Sequence, residues 1–387
     1  MPKYIFVTGG VLSGLGKGIA AASIGHLFSH KFNVVPIKCD GYLNTDPGTM
    51  NPIEHGEVFV LDDGAEVDMD FGHYERFLNC TCNKTESITM GKIFAEVQQK
   101  ERRGEYLGKT VQFIPHVSDL IKEKFKEAGK GADIVVVEIG GTVGDIENEL
   151  FIEAARQMSQ ELHENDHMHV HLTYVPYLDN VKEQKSKPAQ MDLRHLLEKG
   201  ILPNVVITRS KDKVEENVRR KIGVFAGLNP KQIISGHDMD HVYEIPYSFD
   251  RQGMTQLVKD RLQLDLDTVP NEWPELVQNL KDLGEEQITI AICGKYTGLE
   301  DSYASILESL KHCSAHTKTK INVEMIETTD IENDADAAKR LKGIHGVIVP
   351  GGFGNRGTEG KIQVIKYCRE NNLPFLGICL GLQLATM

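Results

Sequence analysis

Long apolar runs are absent from this 387-residue sequence. Because a membrane-spanning helix needs about 20 mostly apolar residues in succession, we expect no association with a membrane. The N-terminus, MPKYIFVTGG, also lacks the basic region, apolar core and small-residue cleavage site of a signal peptide. An excess of basic residues is missing too, since the formal net charge is −13. Nucleic acid is therefore not an expected partner, because binding it requires a basic footprint.

Paired cysteines are the next feature that the sequence does not show. An odd number of scattered cysteines does not predict a disulfide framework, and together with the missing signal peptide it predicts a reducing, cytoplasmic location. Cys80 and Cys82 are too close together and too isolated to indicate a zinc site. The seven cysteines are Cys39, Cys80, Cys82, Cys293, Cys313, Cys368 and Cys379.

Short β-branched runs that alternate with amphipathic stretches indicate the fold class. Such a pattern is typical of a parallel sheet covered by helices, and a chain of this length predicts two domains. We predict an α/β first domain over 1–266 and a connection over 267–286, where two prolines and several acids cluster. A second α/β series over 287–387 has an unfinished last helix, so we expect it to lack its C-terminal part. The predicted strands of the first domain are Tyr4–Thr8, Asn33–Lys38, Asp133–Ile139, His169–Pro176, Asn204–Thr208 and Gln232–Ile234.

A glycine-rich turn, GGVLSGLGKG, follows the first predicted strand and precedes a helical stretch. Glycines let backbone N–H groups converge on a phosphate, and the helix N-terminus adds donors and a favourable dipole. The turn departs twice from the Walker pattern. Val11 stands in place of its first glycine, and Gly18 replaces the Ser or Thr that normally contacts Mg²⁺. We interpret the turn as a phosphate loop with Lys17 as its cation; a tight strand–helix turn without a ligand is the alternative.

Carboxylates elsewhere must then hold the magnesium ion, because Mg²⁺ requires oxygen ligands. Glu138 ends the buried run IVVVEIGG, where a charge is costly unless it is paired or bound to a metal. Asp68 and Asp70 lie two residues apart, on one side of a segment expected to be extended. Asp70 with Glu138 is the predicted metal pair; the alternative is that the two aspartates are solvated loop acids.

The sequence Gly377-Ile-Cys379-Leu-Gly381 lies between a predicted strand and a helix. This arrangement parallels a nucleophile elbow, in which flanking glycines allow a strained turn that exposes the nucleophile. The thiolate is the reactive form of cysteine, and a helix N-terminus favours it. The upstream PGGFG segment around Gly352, together with the Leu380 N–H, is expected to supply an oxyanion hole. The alternative is a buried core cysteine in a glycine-rich turn.

Taken together, eight segments resemble the CTP synthase family over essentially the whole chain. The resemblance implies a phosphate-loop (P-loop NTPase-like) synthetase domain followed by part of a flavodoxin-like class I glutamine amidotransferase domain. It implies that ATP phosphorylates O4 of UTP, that ammonia from glutamine attacks C4 and that phosphate leaves. The segments are YIFVTGGVLSGLGKG, GTMNPIEHGEVFVLDDGAEVDMDFGHYERF, KERRGEYLGKTVQFIPH, VEIGGTVGDIE, QKSKPAQ, KYTGLEDSYAS, PGGFGNRGTEGKIQ and FLGICLGLQLA.

The resemblance also implies roles for residues at matching positions. Catalytic roles fall on Lys17, Lys38 and the nucleophile Cys379, and Mg²⁺ ligation falls on Asp70 and Glu138. The implied ATP-binding residues are Gly14, Leu15, Gly16, Lys17, Gly18, Ile19, Asp70, His237, Asp238 and Met239. The implied UTP- and CTP-binding residues are Ser13, Asp145, Ile146, Glu147, Lys185, Ser186, Lys187, Pro188, Ala189, Gln190 and Lys221. The implied glutamine-binding residues are Gly352, Leu380, Gly381, Leu382 and Gln383.

Other expectations follow from the same resemblance. The partners are ATP, UTP and L-glutamine or ammonia, with GTP as activator, CTP as inhibitor, a homotetramer as the assembly, and no organic prosthetic group. The sequence departs from the family pattern at Gly41, Met90, Ala189 and His237. A class I glutaminase also needs a His and a Glu downstream of its cysteine. Neither follows Cys379 in this sequence, so we expect it not to hydrolyse glutamine.

Two competing functions remain at this point. A related phosphate-loop amidoligase would act on a carboxylate, such as a biotin precursor or a corrinoid, and would not need the QKSKPAQ or VGDIE segments. A non-catalytic, nucleotide-sensing or filament-forming subunit would fit the departures and the incomplete second domain. ATP hydrolysis stimulated by a carboxylate rather than by UTP would favour the first alternative. Conversion of UTP to CTP with ammonium would exclude the second for the first domain.

Overall fold

The structure, a computed structural model, describes residues 2–266 and 273–387. The chain divides into two compact units. Unit 1 comprises Met1–Gly48 and Phe59–Asn271, and unit 2 comprises Thr49–Val58 and Glu272–Met387. Within the described residues no helix is both long and apolar enough to cross a membrane.

Strands and helices alternate along the chain, as the sequence predicts. The strands are β1 Lys3–Gly9, β2 Val34–Asp40, β3 Phe59–Val60, β4 Glu66–Val67, β5 Ser87–Thr89, β6 Ile134–Ile139, β7 His167–Tyr174, β8 Tyr177–Leu178, β9 Glu183–Gln184, β10 Val205–Ser210, β11 Ile233–His237, β12 Gln287–Gly294, β13 Lys320–Glu327, β14 Gly346–Val349 and β15 Phe375–Gly377. The α-helices are α1 Lys17–Ser29, α2 Pro52–His55, α3 Asp70–Leu78, α4 Met90–Arg102, α5 Ser118–Ala128, α6 Glu149–Glu161, α7 Lys187–Glu198, α8 Glu216–Ala226, α9 Ile245–Arg251, α10 Met254–Leu262, α11 Trp273–Lys281, α12 Ala304–Thr317, α13 Asp334–Arg340, α14 Thr358–Glu370 and α15 Leu380–Ala385.

A seven-stranded sheet with every pair parallel forms the centre of unit 1, in the order β11-β10-β7-β1-β6-β2-β5. β6, β2 and β5 lie on one side of β1, and β7, β10 and β11 lie on the other. In open parallel sheets the crevice at such a divergence, beyond the carboxyl ends of the strands, is where ligands bind. The glycine-rich turn leaves β1 at this point.

Helices cover the parallel sheet on both faces, which explains why its strands are apolar throughout. On one face α4, α5 and α6 contribute to a core that includes Phe6, Phe125 and Phe151. α1 also packs on β1, β2 and β6, and it contacts α3, α9 and α10. A smaller core joins α7 and α8 to β10 and β11 through Leu193, Val206 and Ile222. The α/β prediction is confirmed.

Unit 2 contains a four-stranded sheet in the order β13-β12-β14-β15, again with every pair parallel. Residues 49–58 belong to this unit, although the sequence prediction assigned them to the first domain. Ser302 Oγ donates to the Pro52 carbonyl at 3.0 Å, and the Ser305 N–H donates to Glu57 Oε2 at 2.8 Å. The Glu57 N–H donates to the Asp301 carbonyl at 2.9 Å.

The predicted connection over 267–286 falls partly outside the described residues, at 267–272. Its later part is not an open linker, since Trp273–Lys281 forms α11, which packs against α12 within unit 2. Leu280 of this helix is buried.

Candidate functional site

The glycine-rich turn wraps around the end of β1 in a backbone conformation that glycine favours. Gly14 and Gly16 have φ values of 72° and 87°. Val11 has a φ of 73°, so it adopts a left-handed conformation although it is β-branched. That value is uncommon and strained for such a residue. The position of the first Walker glycine therefore keeps a glycine-like backbone with a valine side chain.

Gly18 explains the second departure from the Walker pattern. A Cβ atom placed on Gly18 would lie 2.0 Å from Asp70 Oδ1. The carboxylate of Asp70, at the start of α3, thus occupies the space where a Ser or Thr side chain would project. An acidic oxygen from a distant segment stands beside the loop in place of the missing hydroxyl.

Lys38 forms ion pairs with both residues of the predicted metal pair, Asp70 and Glu138. It lies in β2, level with Glu138 of the neighbouring β6. Its Nζ donates to Asp70 Oδ2 at 2.6 Å and lies 3.4 Å from Glu138 Oε1. Asp40 Oδ1 and Asp68 Oδ1 lie 3.4 and 3.7 Å from the same ammonium. The structure therefore brings Asp70 and Glu138 to one point, and it adds Asp40 and Asp68 to them.

The pKa values of this cluster reflect burial and crowding of like charges. Burial raises the pKa of Glu138 to about 7, against the opposing effect of Lys38, and raises that of Asp68 to about 8. For Asp70 burial is outweighed by the Lys38 ammonium, and the pKa is lowered. Burial also disfavours the charge on Lys38, but the surrounding carboxylates outweigh it and raise its pKa well above the ordinary value.

Lys17 lies at the edge of the same cluster, at the start of α1. Its Nζ donates to the Gly141 carbonyl at 2.7 Å. Burial lowers its pKa, which the nearby Glu138 partly opposes. Two lysines and several carboxylates thus meet where β1, β2 and β6 end.

The extended conformation expected around Asp68 and Asp70 is wrong. Asp70 is the first residue of α3, and its N–H donates to Asp68 Oδ1 at 2.9 Å. Both carboxylates still reach Lys38, since Asp68 Oδ1 lies 3.7 Å and Asp70 Oδ2 lies 2.6 Å from its Nζ. Among residues 2–266 and 273–387, no group of three or more His, Cys, Asp or Glu is arranged to hold a metal. The residues present suit Mg²⁺, which commonly takes one or two carboxylates and completes its shell with phosphates and water.

A mostly apolar cavity of about 210 Å³ borders the turn at Gly16 and Ile19. It is lined on the opposite side by His237, Asp238 and Met239. The sequence therefore identified residues that meet in space although they lie far apart in the chain. Arg209 also lines this cavity, and its guanidinium donates to Asp238 Oδ1 at 2.8 Å. Sequence reasoning missed Arg209, since a lone arginine at a strand end carries no motif.

The residues implied for UTP and CTP lie on four separate segments. Asp145, Ile146 and Glu147 are exposed on the turn after β6, and Lys185 to Gln190 run into the start of α7. Ser13 is exposed in the glycine-rich turn, and Lys221 is exposed on α8, which packs against α7. Ala189 is fully buried in the apolar core beneath α7. A side-chain contact between Ala189 and a nucleotide is therefore wrong, because its methyl group packs against the sheet.

A buried chain of polar groups, which sequence reasoning missed, connects the turn to α7. His171 Nδ1 lies 2.9 Å from Thr8 Oγ1, and its Nε2 lies 2.9 Å from Asp192 Oδ2. Asp192 also approaches the backbone of Gly10, where an added Cβ would lie only 1.6 Å from its Oδ1. In the sequence, the only sign of these contacts is that His169, His171 and Thr173 alternate with apolar residues in the run HVHLT. These polar contacts between Thr8, His171 and Asp192 fix the position of α7 relative to the glycine-rich turn. Residues 185–190, at the start of α7, are positioned with it.

Cys379 occupies a strained turn between β15 and α15, as predicted. Its φ and ψ are 52° and −113°, and its side chain is exposed. The flanking glycines are required by close contacts, since a Cβ on Gly377 would lie 2.7 Å from the Gly381 backbone. A Cβ on Gly381 would lie 2.0 Å from the Val349 carbonyl. These contacts support the nucleophile-elbow interpretation over a buried core cysteine.

The PGGFG segment lies against this cysteine. A Cβ on Gly351 would lie 3.4 Å from Cys379 Sγ, and the adjacent Gly352 has a φ of 145°. Lys361 is fully buried beneath the segment, and its Nζ donates to the carbonyls of Pro350 and Gly351 at 2.8 and 3.1 Å. Leu380, Gly381, Leu382 and Gln383 continue directly into α15, with Leu382 and Gln383 exposed.

Family models match both units. Residues 3–264 match the model described as CTP synthase N-terminus, and residues 299–387 match the model described as glutamine amidotransferase class-I. The solved glutaminase domain of Trypanosoma brucei CTPS with bound acivicin is 37% identical over 25% of this chain and 38% of that chain, with a TM-score of 0.24.

Curated relatives match over the full length of this chain. CTP synthase of Borreliella burgdorferi is 50% identical over 390 residues, which cover 100% of this chain and 72% of that protein. CTP synthase of Pyrococcus abyssi is 51% identical with the same coverage, and that of Streptococcus equi subsp. equi is 48% identical over 99% of this chain and 72% of that protein. The chain belongs to the CTP synthase family.

Proposed function

We propose that unit 1 aminates UTP to CTP with ATP, through a UTP intermediate phosphorylated at O4. Membership of the CTP synthase family supports CTP formation coupled to a glutamine amidotransferase. The observation that carries the finer proposal is the meeting of Lys17, Lys38, Asp70 and Glu138 beside the cavity at Gly16. Lys17 and Lys38 would supply positive charge for a triphosphate, and the mostly apolar cavity would accommodate a nucleotide base.

In this proposal the adenine of ATP enters the cavity lined by His237, Asp238 and Met239, and its phosphates lie along the glycine-rich turn. Lys17 then leaves the Gly141 carbonyl and contacts the β- and γ-phosphates. Asp70 and Glu138 would hold Mg²⁺, which when bound neutralises phosphate charge. Lys38 stabilises the charge on the phosphoryl group as it passes to O4 of UTP, because phosphoryl transfer depends on positioning and charge neutralisation.

The pyrimidine nucleotide is proposed to lie between the turn after β6 and the start of α7. Asp145, Ile146 and Glu147 would contact it from one side, and Lys185 to Pro188 together with Gln190 from the other. The chain Thr8–His171–Asp192 supports this placement, since it holds α7 against Gly10. Ammonia attacks C4 of the phosphorylated pyrimidine, and inorganic phosphate leaves with the electron pair of the C4–O4 bond.

Cys379 is proposed to supply the ammonia in the complete enzyme. Its thiolate attacks the side-chain amide carbon of glutamine, and the backbone N–H groups of Gly352 and Leu380 stabilise the oxyanion. The C–N bond then breaks to release ammonia, and water hydrolyses the thioester to glutamate and the free thiol. Activation by GTP, inhibition by CTP, a homotetramer and a cytoplasmic location remain proposals from the family resemblance.

The test is CTP formation by the 387-residue protein from UTP, ATP, Mg²⁺ and ammonium, which does not require the glutaminase reaction. Lys17→Ala is expected to lower the rate on the order of 100-fold, because one charge-stabilising group is lost. Lys31→Ala is the matched control, since this exposed lysine pairs with the exposed Asp265 and should leave the rate unchanged.

Two results would contradict the proposal. ATP hydrolysis stimulated by a carboxylate rather than by UTP would indicate another amidoligase. A folded protein that binds nucleotides but forms no CTP with ammonium would indicate a non-catalytic role.

A further inference from the structure

The loop that joins α3 to β5 contains two cysteines separated by one residue. Cys80 Sγ and Cys82 Sγ lie 4.0 Å apart, at hydrogen-bonding distance for sulfur. Cys80 is half-buried, whereas Cys82 is only 2% exposed. Cys80 is therefore the more accessible of the two residues.

Hydrogen bonds on both sides hold the loop in this conformation. α3 ends at Asn79, which takes a left-handed φ of 49°. The Cys82 N–H donates to Glu75 Oε1 at 2.9 Å. Asn83 and Glu86 then form a capping box, in which the Asn83 N–H donates to Glu86 Oε2 at 3.2 Å. The closeness of the two sulfurs is thus a property of the folded loop.

The two thiols differ electrostatically. The hydrogen bond from Cys82 lowers the pKa of Cys80. The same bond, together with burial, raises the pKa of Cys82. Cys80 is therefore the sulfur that is both accessible and more readily ionised, which are the two properties that favour attack on a disulfide.

We infer that Cys80 and Cys82 form a reversible dithiol–disulfide site that reacts with low-molecular-weight disulfides. The Cys80 thiolate attacks one sulfur of the small disulfide, and one small thiol leaves with the proton that Cys80 gave up. Cys82 then loses its proton and attacks Cys80 Sγ, which releases the second small thiol. Two S–H bonds of the protein are broken and one S–S bond is formed, while the small disulfide is reduced by two electrons.

The geometry favours a labile disulfide over a permanent one. A disulfide bond is about 2.05 Å long, so the sulfurs must move together from 4.0 Å within a short, hydrogen-bonded loop. Strained or exposed disulfides are the ones that are readily reduced again. A metal site is not favoured, because among the described residues no third His, Cys, Asp or Glu completes a metal-binding group.

The experiment equilibrates the folded protein with oxidised and reduced glutathione, alkylates the remaining thiols and identifies tryptic peptides by mass. Arg76 and Lys84 flank the pair, so one peptide, FLNCTCNK (77–84), carries both cysteines. We expect this peptide to lose two hydrogen atoms and both alkylatable thiols, and dithiothreitol to restore them. Cys313 is the internal control, since it is exposed and should carry glutathione or the alkyl group.

Two variants test the order of the steps. Cys82→Ser is expected to accumulate glutathione on Cys80, because the resolving thiol is gone. Cys80→Ser is expected to react more slowly, because Cys82 is buried. The inference is overturned if the wild-type peptide keeps two alkylatable thiols, or carries glutathione without an internal disulfide, under conditions that modify Cys313. The readout is a mass, so it is independent of whether the protein forms CTP.

Discussion

At the scale of single residues, Gly18 shows how the lack of a side chain shapes the site. The Asp70 carboxylate lies where a Cβ of residue 18 would project. We predict that Gly18→Ala displaces Asp70 and weakens Mg²⁺-dependent ATP binding by roughly 10- to 100-fold, the range seen when the support of a metal ligand is removed. Calorimetric titration with ATP at fixed Mg²⁺ measures this change.

The control for this substitution is Gly298→Ala, because a Cβ on Gly298 meets no atom within 4 Å. It should leave ATP binding unchanged. Equal affinities for Gly18→Ala and the wild type would mean that Asp70 does not contribute to the site.

Lys38 is the buried counter-charge of four carboxylates, and we expect its loss to destabilise the fold. It is 6% exposed and lies within 4 Å of the carboxylates of Asp40, Asp68, Asp70 and Glu138. We predict that Lys38→Met lowers the free energy of unfolding by about 3 kcal/mol, because buried acids lose their counter-charge. Added Mg²⁺ should recover part of this loss, which urea unfolding with and without the ion would show.

Lys31→Met serves as the comparison, since an exposed ion pair contributes about 0–1 kcal/mol. A loss for Lys38→Met no larger than that for Lys31→Met would contradict the electrostatic account. If Mg²⁺ stabilised both variants to the same extent, the cluster would not be its binding place.

His169 provides a pH-dependent contribution to stability. Its ring is stacked on Phe6 with centroids 5.1 Å apart, and Nε2 lies 2.6 Å from Ser159 Oγ. Burial lowers its pKa to about 3, from an ordinary 6.5. The unfolded chain therefore binds a proton below pH 6.5 that the folded chain does not, and the free energy of unfolding falls as the pH falls.

We predict a slope of up to about 1.4 kcal/mol per pH unit from this residue. His169→Gln keeps a neutral hydrogen-bonding side chain and should lack this contribution. Urea unfolding from about pH 7 to about pH 5 measures the difference between the two proteins. Parallel curves for wild type and variant would show that His169 titrates normally.

At the scale of elements, the glycine-rich turn combines function with backbone strain. Val11 is held at a φ of 73°, where a β-branched residue costs on the order of 1 kcal/mol. We predict that Val11→Gly leaves the free energy of unfolding unchanged to within about 0.5 kcal/mol, because relief of the strain offsets the entropy cost of a glycine. The neighbouring Leu12→Gly, at a position without positive φ, should lower it by about 0.5–1 kcal/mol.

Thermal or urea unfolding of these two variants decides the point. Because both substitutions create glycine in the same exposed turn, their difference isolates the backbone conformation of residue 11. A larger loss for Val11→Gly than for Leu12→Gly would show that the valine side chain stabilises the turn through contacts.

The sequence predicted the main strands of the parallel sheet and the strand–turn–helix units at Lys17 and Cys379. These are local features, because apolar runs and glycine placement are encoded in neighbouring residues. It also paired Asp70 with Glu138, but from chemical reasoning and the family resemblance. The start of α3 at Asp70 was missed, since an aspartate in the first turn of a helix looks like a loop acid in sequence.

Other features of the site could not be predicted because they depend on packing across the sheet. His171 meets Thr8 and Asp192 only after β1, β7 and α7 are assembled. Ala189 matched a nucleotide-binding stretch in sequence, yet the register of α7 turns its methyl group into the core. A linear motif identifies a segment, and helical register decides which of its side chains remain available.

At the scale of the whole molecule, the division into units does not follow a single boundary in sequence. Residues 49–58 belong to unit 2 through hydrogen bonds with Asp301, Ser302 and Ser305. We predict that a chain ending at residue 266 is less soluble and more easily cleaved by protease near residues 49–58 than the full chain. Limited proteolysis followed by mass spectrometry measures this, and equal protection in both proteins would contradict it.

The excursion of residues 49–58 also has a topological result. The chain passes between the units at 48/49, at 58/59 and again between residues 266 and 273, so three covalent connections join them. Exchanging unit 2 for that of a relative would thus require grafting a ten-residue insert together with the C-terminal part. Recombination at one junction near residue 272 would take residues 49–58 from one parent and Asp301, Ser302 and Ser305, to which they are hydrogen-bonded, from the other.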